Sequence, residues 1–101
     1  MLKIDYEFRK GIFFIRFIGD MNKKLFLDKG KEIKLLLRDN KFKYIVINVN
    51  YLETIDNDGI NYLSDIYDMT KKEQGYLVLC DKFRLLNKFN VPIIDSELEV
   101  L

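Results

Sequence analysis

Apolar and polar residues alternate at the start of the chain. Leu2, Ile4, Tyr6 and Phe8 are interleaved with Lys3, Asp5, Glu7 and Arg9. A period of two is the pattern of a strand with one buried face. Arg9-Lys10-Gly11 reads as a turn. The stretch from Ile12 to Ile18 is rich in β-branched and aromatic residues, so the two segments predict an N-terminal hairpin that ends at Gly19-Asp20. The period then changes. Between Lys24 and Arg38, the residues Phe26, Gly30, Ile33 and Leu37 fall on one helical stripe, with Leu36 beside it. Glycine inside a helix costs about 1 kcal/mol relative to alanine. Gly30 therefore predicts either close packing of this helix on a sheet or a helix that starts later.

Tyr44-Ile45-Val46-Ile47-Asn48-Val49 is a short, nearly continuous apolar run, the pattern of a central strand buried on both faces. A polar loop from Asn50 to Gly59 follows. A second helix is predicted from about Asp58 to Gln74, with Ile60, Leu63, Tyr67 and Thr70 on its stripe and Ile66 and Met69 alongside. Gly75 stands where a helix C-terminal cap belongs. Residues 76–80 read as another buried strand. Phe83, Leu86 and Phe89 mark a short third helix, stopped by Asn90 and Pro92. Pro92-Ile93-Ile94 suggests an edge strand, and Asp95-Ser96-Glu97 the start of a last helical turn. The order is β-β-α-β-α-β-α-β. It predicts an α/β fold: a mixed four- to five-stranded sheet with helices packed on one face. No linker, repeat or low-complexity segment divides residues 1–101, which predicts one domain.

Composition narrows the chemistry. Apolar residues make up 49% and charged residues 33% of the chain, a globular balance with no apolar run near the roughly 18 residues of a membrane span. The start of the chain is no signal peptide, so a cytoplasmic setting without membrane insertion is the default. The net charge of +1 argues against a dedicated nucleic-acid binder. Lys, Asn and Ile abound throughout, so lysine number alone says little. There is no histidine, which removes Ser-His-Asp and Cys-His nucleophile systems and most zinc sites. The single cysteine, Cys80, lies in an apolar run and reads as a buried strand residue.

Asp56-Asn57-Asp58-Gly59 stands between the buried strand and the second helix. Asn57 fits an N-cap, Asp58 in the first turn suits the helix dipole, and Gly59 leaves room for another backbone or a partner. Tyr51 and Tyr62 are expected to flank this loop. The basic ring around the first helix (Lys23, Lys24, Lys29, Lys31, Lys34) reads as a solvated face or an anionic partner surface, and Lys71-Lys72 suit the end of the second helix.

The stretch Ile45-Val46-Ile47-Asn48-Val49, then Leu52, then Ile55-Asp56-Asn57-Asp58-Gly59-Ile60 resembles the core signature of STAS domains, in which a buried strand leads to Asp-Ser-Ser/Thr-Gly-Leu at a helix start. Gly19-Asp20-Met21-Asn22 resembles the family's Gly-Glu-Leu-Asp. Gln74-Gly75 and the following apolar residues resemble its Gly-Gly-x and strand. The resemblance implies an anti-sigma-factor antagonist: a protein-binding module without catalysis, metal or cofactor. It would dock through Asp20, Met21, Asn22, Asp56, Asn57, Asp58, Gly59, Ile60 and Asn61 on an anti-sigma factor with a histidine-kinase-like ATPase fold. In the family that partner can phosphorylate the Ser or Thr after the Asp, adding about −1.5 to −2 charges and blocking docking. Asn57 holds that position here and has no hydroxyl. Thr54 and Ser64 are the nearby hydroxyls. Alternatives are a STAS scaffold or accessory subunit of a signalling or membrane transport complex, or a small metal-dependent phosphatase built on Asp56 and Asp58 with Asp20.

Overall fold

A computed structural model describes residues 1–86 and 90–101. The chain runs β1 (Leu2–Arg9), β2 (Ile12–Met21), α1 (Lys23–Asn40), β3 (Tyr44–Ile55), α2 (Asn57–Lys72), β4 (Tyr76–Cys80), β5 (Ile93–Ile94) and a 3-10 turn (Glu97–Val100). The five strands lie in sequence order across one sheet. β1 and β2 are antiparallel, and β2, β3, β4 and β5 run parallel. This is the mixed sheet that the sequence pattern predicts.

Both helices pack on one face, over Phe13, Ile15, Phe17, Ile45, Ile47, Val49, Leu77 and Leu79. Phe26, Gly30, Ile33 and Leu37 of α1 and Leu63, Ile66 and Thr70 of α2 are all buried. Gly30 packs differently from expectation. Its neighbour is the ring of Tyr62 on α2, which a β-carbon at position 30 would approach to 2.9 Å. The Tyr62 hydroxyl donates to the Gly30 carbonyl at 2.7 Å. The glycine thus seats one helix against the other, not against the sheet. Tyr62 is in the core, where burial raises its pKa, and does not flank the loop.

Asp81, fully buried, accepts from the backbone N–H groups of Leu85 and Leu86 at 2.9 Å each. This organises turns over residues 82–86, the described part of the segment whose pattern predicts a third helix. Phe83 is exposed there, and Phe89 lies outside the described residues. At the end of α2 the left-handed residue is Gln74 (φ 59°), not Gly75. Gly75 instead lets the chain pass the Lys43 carbonyl, 3.1 Å from where its β-carbon would stand.

The other face of the sheet carries a smaller cluster of Phe14, Val46 and Cys80, with Ile12, Ile94 and Val100 against it. Val100 belongs to the last turn, which folds back as a strap. Its start is a reciprocal cap: Ser96 accepts from Leu98 N–H, and Glu99 accepts from Ser96 N–H. Its anchor is Glu97, which accepts two bonds from Arg16 at 2.8 and 2.7 Å and one from Asn48 at 2.7 Å. Arg16 also reaches Asp5 and Glu7. Hydrogen bonds from Arg16 first, and from Asn48, hold the Glu97 carboxyl below the usual carboxylate range against the opposing effect of burial. A depressed folded-state value means that this anchor acts in full above the ordinary glutamate value, about 4.3, and fails as pH falls through the folded-state value below it. We expect the strap to detach in acid before the rest of the fold opens. Protection of the amides of Leu98 and Leu101, taken relative to intrinsic exchange at each pH, should fall as pH drops below the ordinary glutamate value, and Glu97→Gln should show low protection already at neutral pH.

Candidate functional site

The two polar segments singled out by the sequence meet at the C-terminal ends of β2 and β3. Parallel pairing places Asp20 opposite Thr54 and Met21 opposite Ile55. The register shifts between Gly19 and Asp20. Gly19 has φ 99°, and a side chain there would collide with the Met1 carbonyl. Glycine therefore permits the kink that brings Asp20 level with Thr54. The Thr54 hydroxyl donates to Asp20 at 2.7 Å, and the Met1 ammonium lies 3.1 Å from the other carboxylate oxygen. The Thr54 bond first, and then the ammonium, hold the Asp20 carboxyl below its ordinary pKa.

Asp56, not Asn57, is the N-cap of α2. Its backbone is extended, and its carboxylate accepts from Gly59 N–H at 2.8 Å. The other oxygen lies 3.4 Å from the N–H of Lys23, the first residue of α1. Asp56 N–H donates to the Met21 carbonyl at 3.1 Å. One aspartate thus ties together the ends of two strands and the starts of two helices. Its position after a β3 residue in extended conformation makes it the cap, and Asn57 becomes the first helical residue.

Met21 and Gly59 do not reach the surface. Met21 is fully buried, and Gly59 is buried beneath the turn. A β-carbon at Gly59 would stand 2.8 Å from Ile55 Cγ1 and 3.0 Å from the Met21 carbonyl oxygen. The room that glycine leaves is filled by the protein itself. Ile60 is half-buried against the core, and Asp20, Asn22 and Asp56 are half-buried. The outward residues are Asn57, Asp58 and Asn61. Asp65 and Asp68 are also exposed, at helical spacing from Asn61, so the free face of α2 is acidic. Asp65 is 3.5 Å from Lys34 of α1. Sequence reading missed this acidic continuation, although the spacing 61, 65, 68 is visible in the sequence.

The carboxylates of Asp20 and Asp56 are engaged in holding Thr54, the Met1 ammonium and two backbone N–H groups, and Asp58 points outward. Among the described residues no group of three or more acidic or cysteine side chains is placed to hold a metal ion. Cys80 is buried, and its pKa is pushed up to about 11, chiefly by burial, so its thiolate is scarce at neutral pH. Among the described residues no helix is long and apolar enough to cross a membrane.

No protein-family model matches the sequence. Solved structures do match over nearly the whole chain. The anti-sigma factor antagonist SpoIIAA in its unphosphorylated form superimposes with a TM-score of 0.78 at 14% identity, over 99% of this chain and 93% of that one. An anti-sigma factor antagonist from Mycobacterium paratuberculosis does so with a TM-score of 0.77 at 17% identity, over 98% and 90%. An uncharacterized protein from Shewanella loihica with a SpoIIAA-like fold matches at TM-score 0.58 and 12% identity, over 97% and 89%. The chain therefore has an α/β fold of the STAS type. In particular it has the fold of the anti-sigma factor antagonists, as the resemblance in the sequence implied.

Proposed function

We propose that the chain is a cytoplasmic, non-enzymatic binding module that acts as an anti-sigma factor antagonist. It docks through the start of α2, with Asn57, Asp58 and Asn61 making contact and Asp20, Asn22 and Asp56 shaping the edge beside them. Met21 and Gly59 support this edge from below. The observation that carries the reading is the junction at Asp56. It fixes the exposed first turn of α2 against the end of β2 in a fold shared with two such antagonists. The acidic face continuing through Asp65 and Asp68 calls for a basic surface on the partner, for which we propose an anti-sigma factor with a kinase-like ATPase fold. The same surface would serve a scaffold or accessory subunit, with a different partner.

Asn57 is exposed at the first position of α2 and offers no oxygen nucleophile. The unmodified module is therefore held permanently in its docking state unless control has moved. Thr54 donates its hydroxyl to Asp20, so a phosphate there would meet a carboxylate. Asn57→Ser should become phosphorylated when the cognate anti-sigma kinase and ATP are supplied, read as an added phosphate on the peptide covering residues 51–65 by mass spectrometry. Asn61→Arg, on the exposed face, should weaken binding to that anti-sigma factor by roughly tenfold or more, with an unchanged melting temperature. Undiminished binding by folded Asn61→Arg would place the docking surface elsewhere.

A further inference from the structure

The pole opposite the docking edge is basic and aromatic. Strand register assembles it: Arg9 pairs with Ile12, Ile12 with Tyr44, and Tyr44 with Tyr76, in one row across the sheet. The hairpin turn presents Lys10, the segment entering β3 presents Lys41 and Lys43, and the end of α2 presents Lys72, all exposed. None of these four lysines makes an ion pair among the described residues. Between them stand exposed rings, Phe8 (62% accessible), Tyr44 (47%) and Tyr76 (61%). In a chain of net charge +1 this is a local concentration of cations.

The backbone gives a second, independent observation. Lys10 and Lys41 occupy the left-handed region, with φ 53° and 49°. Asn and Gly enter that region at lower energy than Lys. Before Gly11 in a two-residue hairpin turn, Asn or Asp is the favoured residue. Asn is plentiful in this chain. Two turns of one pole thus carry an unpaired lysine where a neutral residue would fit the backbone better. Arg84, a left-handed cation elsewhere, has a partner in Asp95 at 2.9 Å.

We propose that this pole docks on the surface of an anionic lipid bilayer. Lysines are drawn to the negative surface potential of an anionic leaflet, and aromatic rings settle at the level of the headgroups. A cleft of about 120 Å³ at the same pole is lined by apolar Leu37, Phe42 and Met69 together with Lys41, Lys72 and one acid, Glu73. The rings are poorly placed for nucleic-acid bases, which stack on free faces. Tyr44 and Tyr76 already stack on each other at 5.6 Å, and Phe8 lies against Phe42 at 5.5 Å. β3 spans the distance to the docking edge with twelve residues, so a chain lying on a bilayer through this pole presents that edge to the solvent.

The test is flotation of the purified protein with vesicles of equal parts phosphatidylglycerol and phosphatidylcholine, beside vesicles of phosphatidylcholine alone. The parent chain is expected to float with the anionic vesicles at low salt, to leave the neutral ones, and to be released as salt rises. Lys10→Asn with Lys41→Asn should bind roughly tenfold or more weakly while unfolding at the same or a higher denaturant concentration, because Asn suits both turns. Lys43→Gln with Lys72→Gln, which leaves the left-handed positions untouched, should weaken flotation in the same way. Equal flotation of the folded variants and the parent, or no flotation of the parent at low salt, overturns the proposal. Binding of single-stranded oligothymidylate by a parent chain that ignores the vesicles overturns it in favour of nucleic acid.

Discussion

Gly59→Arg is expected to remove roughly 3 kcal/mol or more of folding stability, enough to unfold much of a small domain's population. Position 59 looks open in the sequence, at a polar loop and helix start. In the structure it is buried, and no positive φ requires glycine there. The constraint is space. A β-carbon would press on Ile55 at 2.8 Å and on the Met21 carbonyl oxygen at 3.0 Å. That oxygen is backbone, and it also accepts from Asp56 N–H. It moves only if the β2–β3–α2 junction moves. An arginine adds a long chain and a charge with nowhere to go except outward through the cap. Gly59→Ala should already cost about 1–3 kcal/mol. Urea unfolding of both variants measures this. A folded Gly59→Arg chain within about 0.5 kcal/mol of the parent would show that α2 enters the sheet more loosely than these distances allow. Gly59→Arg cannot serve as a probe of docking, because loss of binding would follow from loss of the fold. Asn61 is the better probe.

Element type was legible wherever a periodic pattern met a long-range partner of the expected kind. The stripes of α1 and α2 and the double burial of β3 depend only on alternation and spacing, and the core residues Ile45, Ile47, Leu63, Ile66 and Leu79 are all buried. What the pattern could not specify was which surface each glycine approaches. Gly30 meets a ring on α2, Gly59 a carbonyl on β2, and Gly75 a carbonyl before β3. Each of these partners lies far away in the sequence. The cap moved by one residue because Asp and Asn are near-equal caps. The decision came from the end of β3, whose pairing with Met21 extends through Ile55. The strap was invisible for a different reason. Its anchor joins Arg16 to Glu97 across 81 positions, and nothing local in Asp95-Ser96-Glu97 announces a partner. The basic pole was hidden by composition: lysines are common everywhere, and only the register and the left-handed φ values single out Lys10 and Lys41.

Replacing Ile47 by alanine should cost roughly 4 kcal/mol, in the upper part of the range for such truncations. Ile47 is 1% accessible and lies in the part of β3 that is paired on both sides, to β2 and to β4. Its register partners are Ile15 on β2 and Leu79 on β4, both fully buried and both on the helix-covered face. The row Ile15–Ile47–Leu79 therefore forms the floor under α1 and α2. Truncation leaves a void flanked by two side chains whose backbones are fixed in the hydrogen-bonded ladder on either side. The site has little freedom to collapse, and the residual cavity adds to the lost transfer energy. Ile47→Val, which keeps the branch at Cβ and removes one methyl, should cost only about 1 kcal/mol. Urea unfolding of the two variants gives the comparison, with an unchanged slope expected because the surface exposed on unfolding is nearly the same. The order of the two losses matters as much as their size. Equal losses from Ala and Val would mean that the floor relaxes freely around position 47, and a loss below about 0.5 kcal/mol for Ala would mean that β3 is not the central support of the helices.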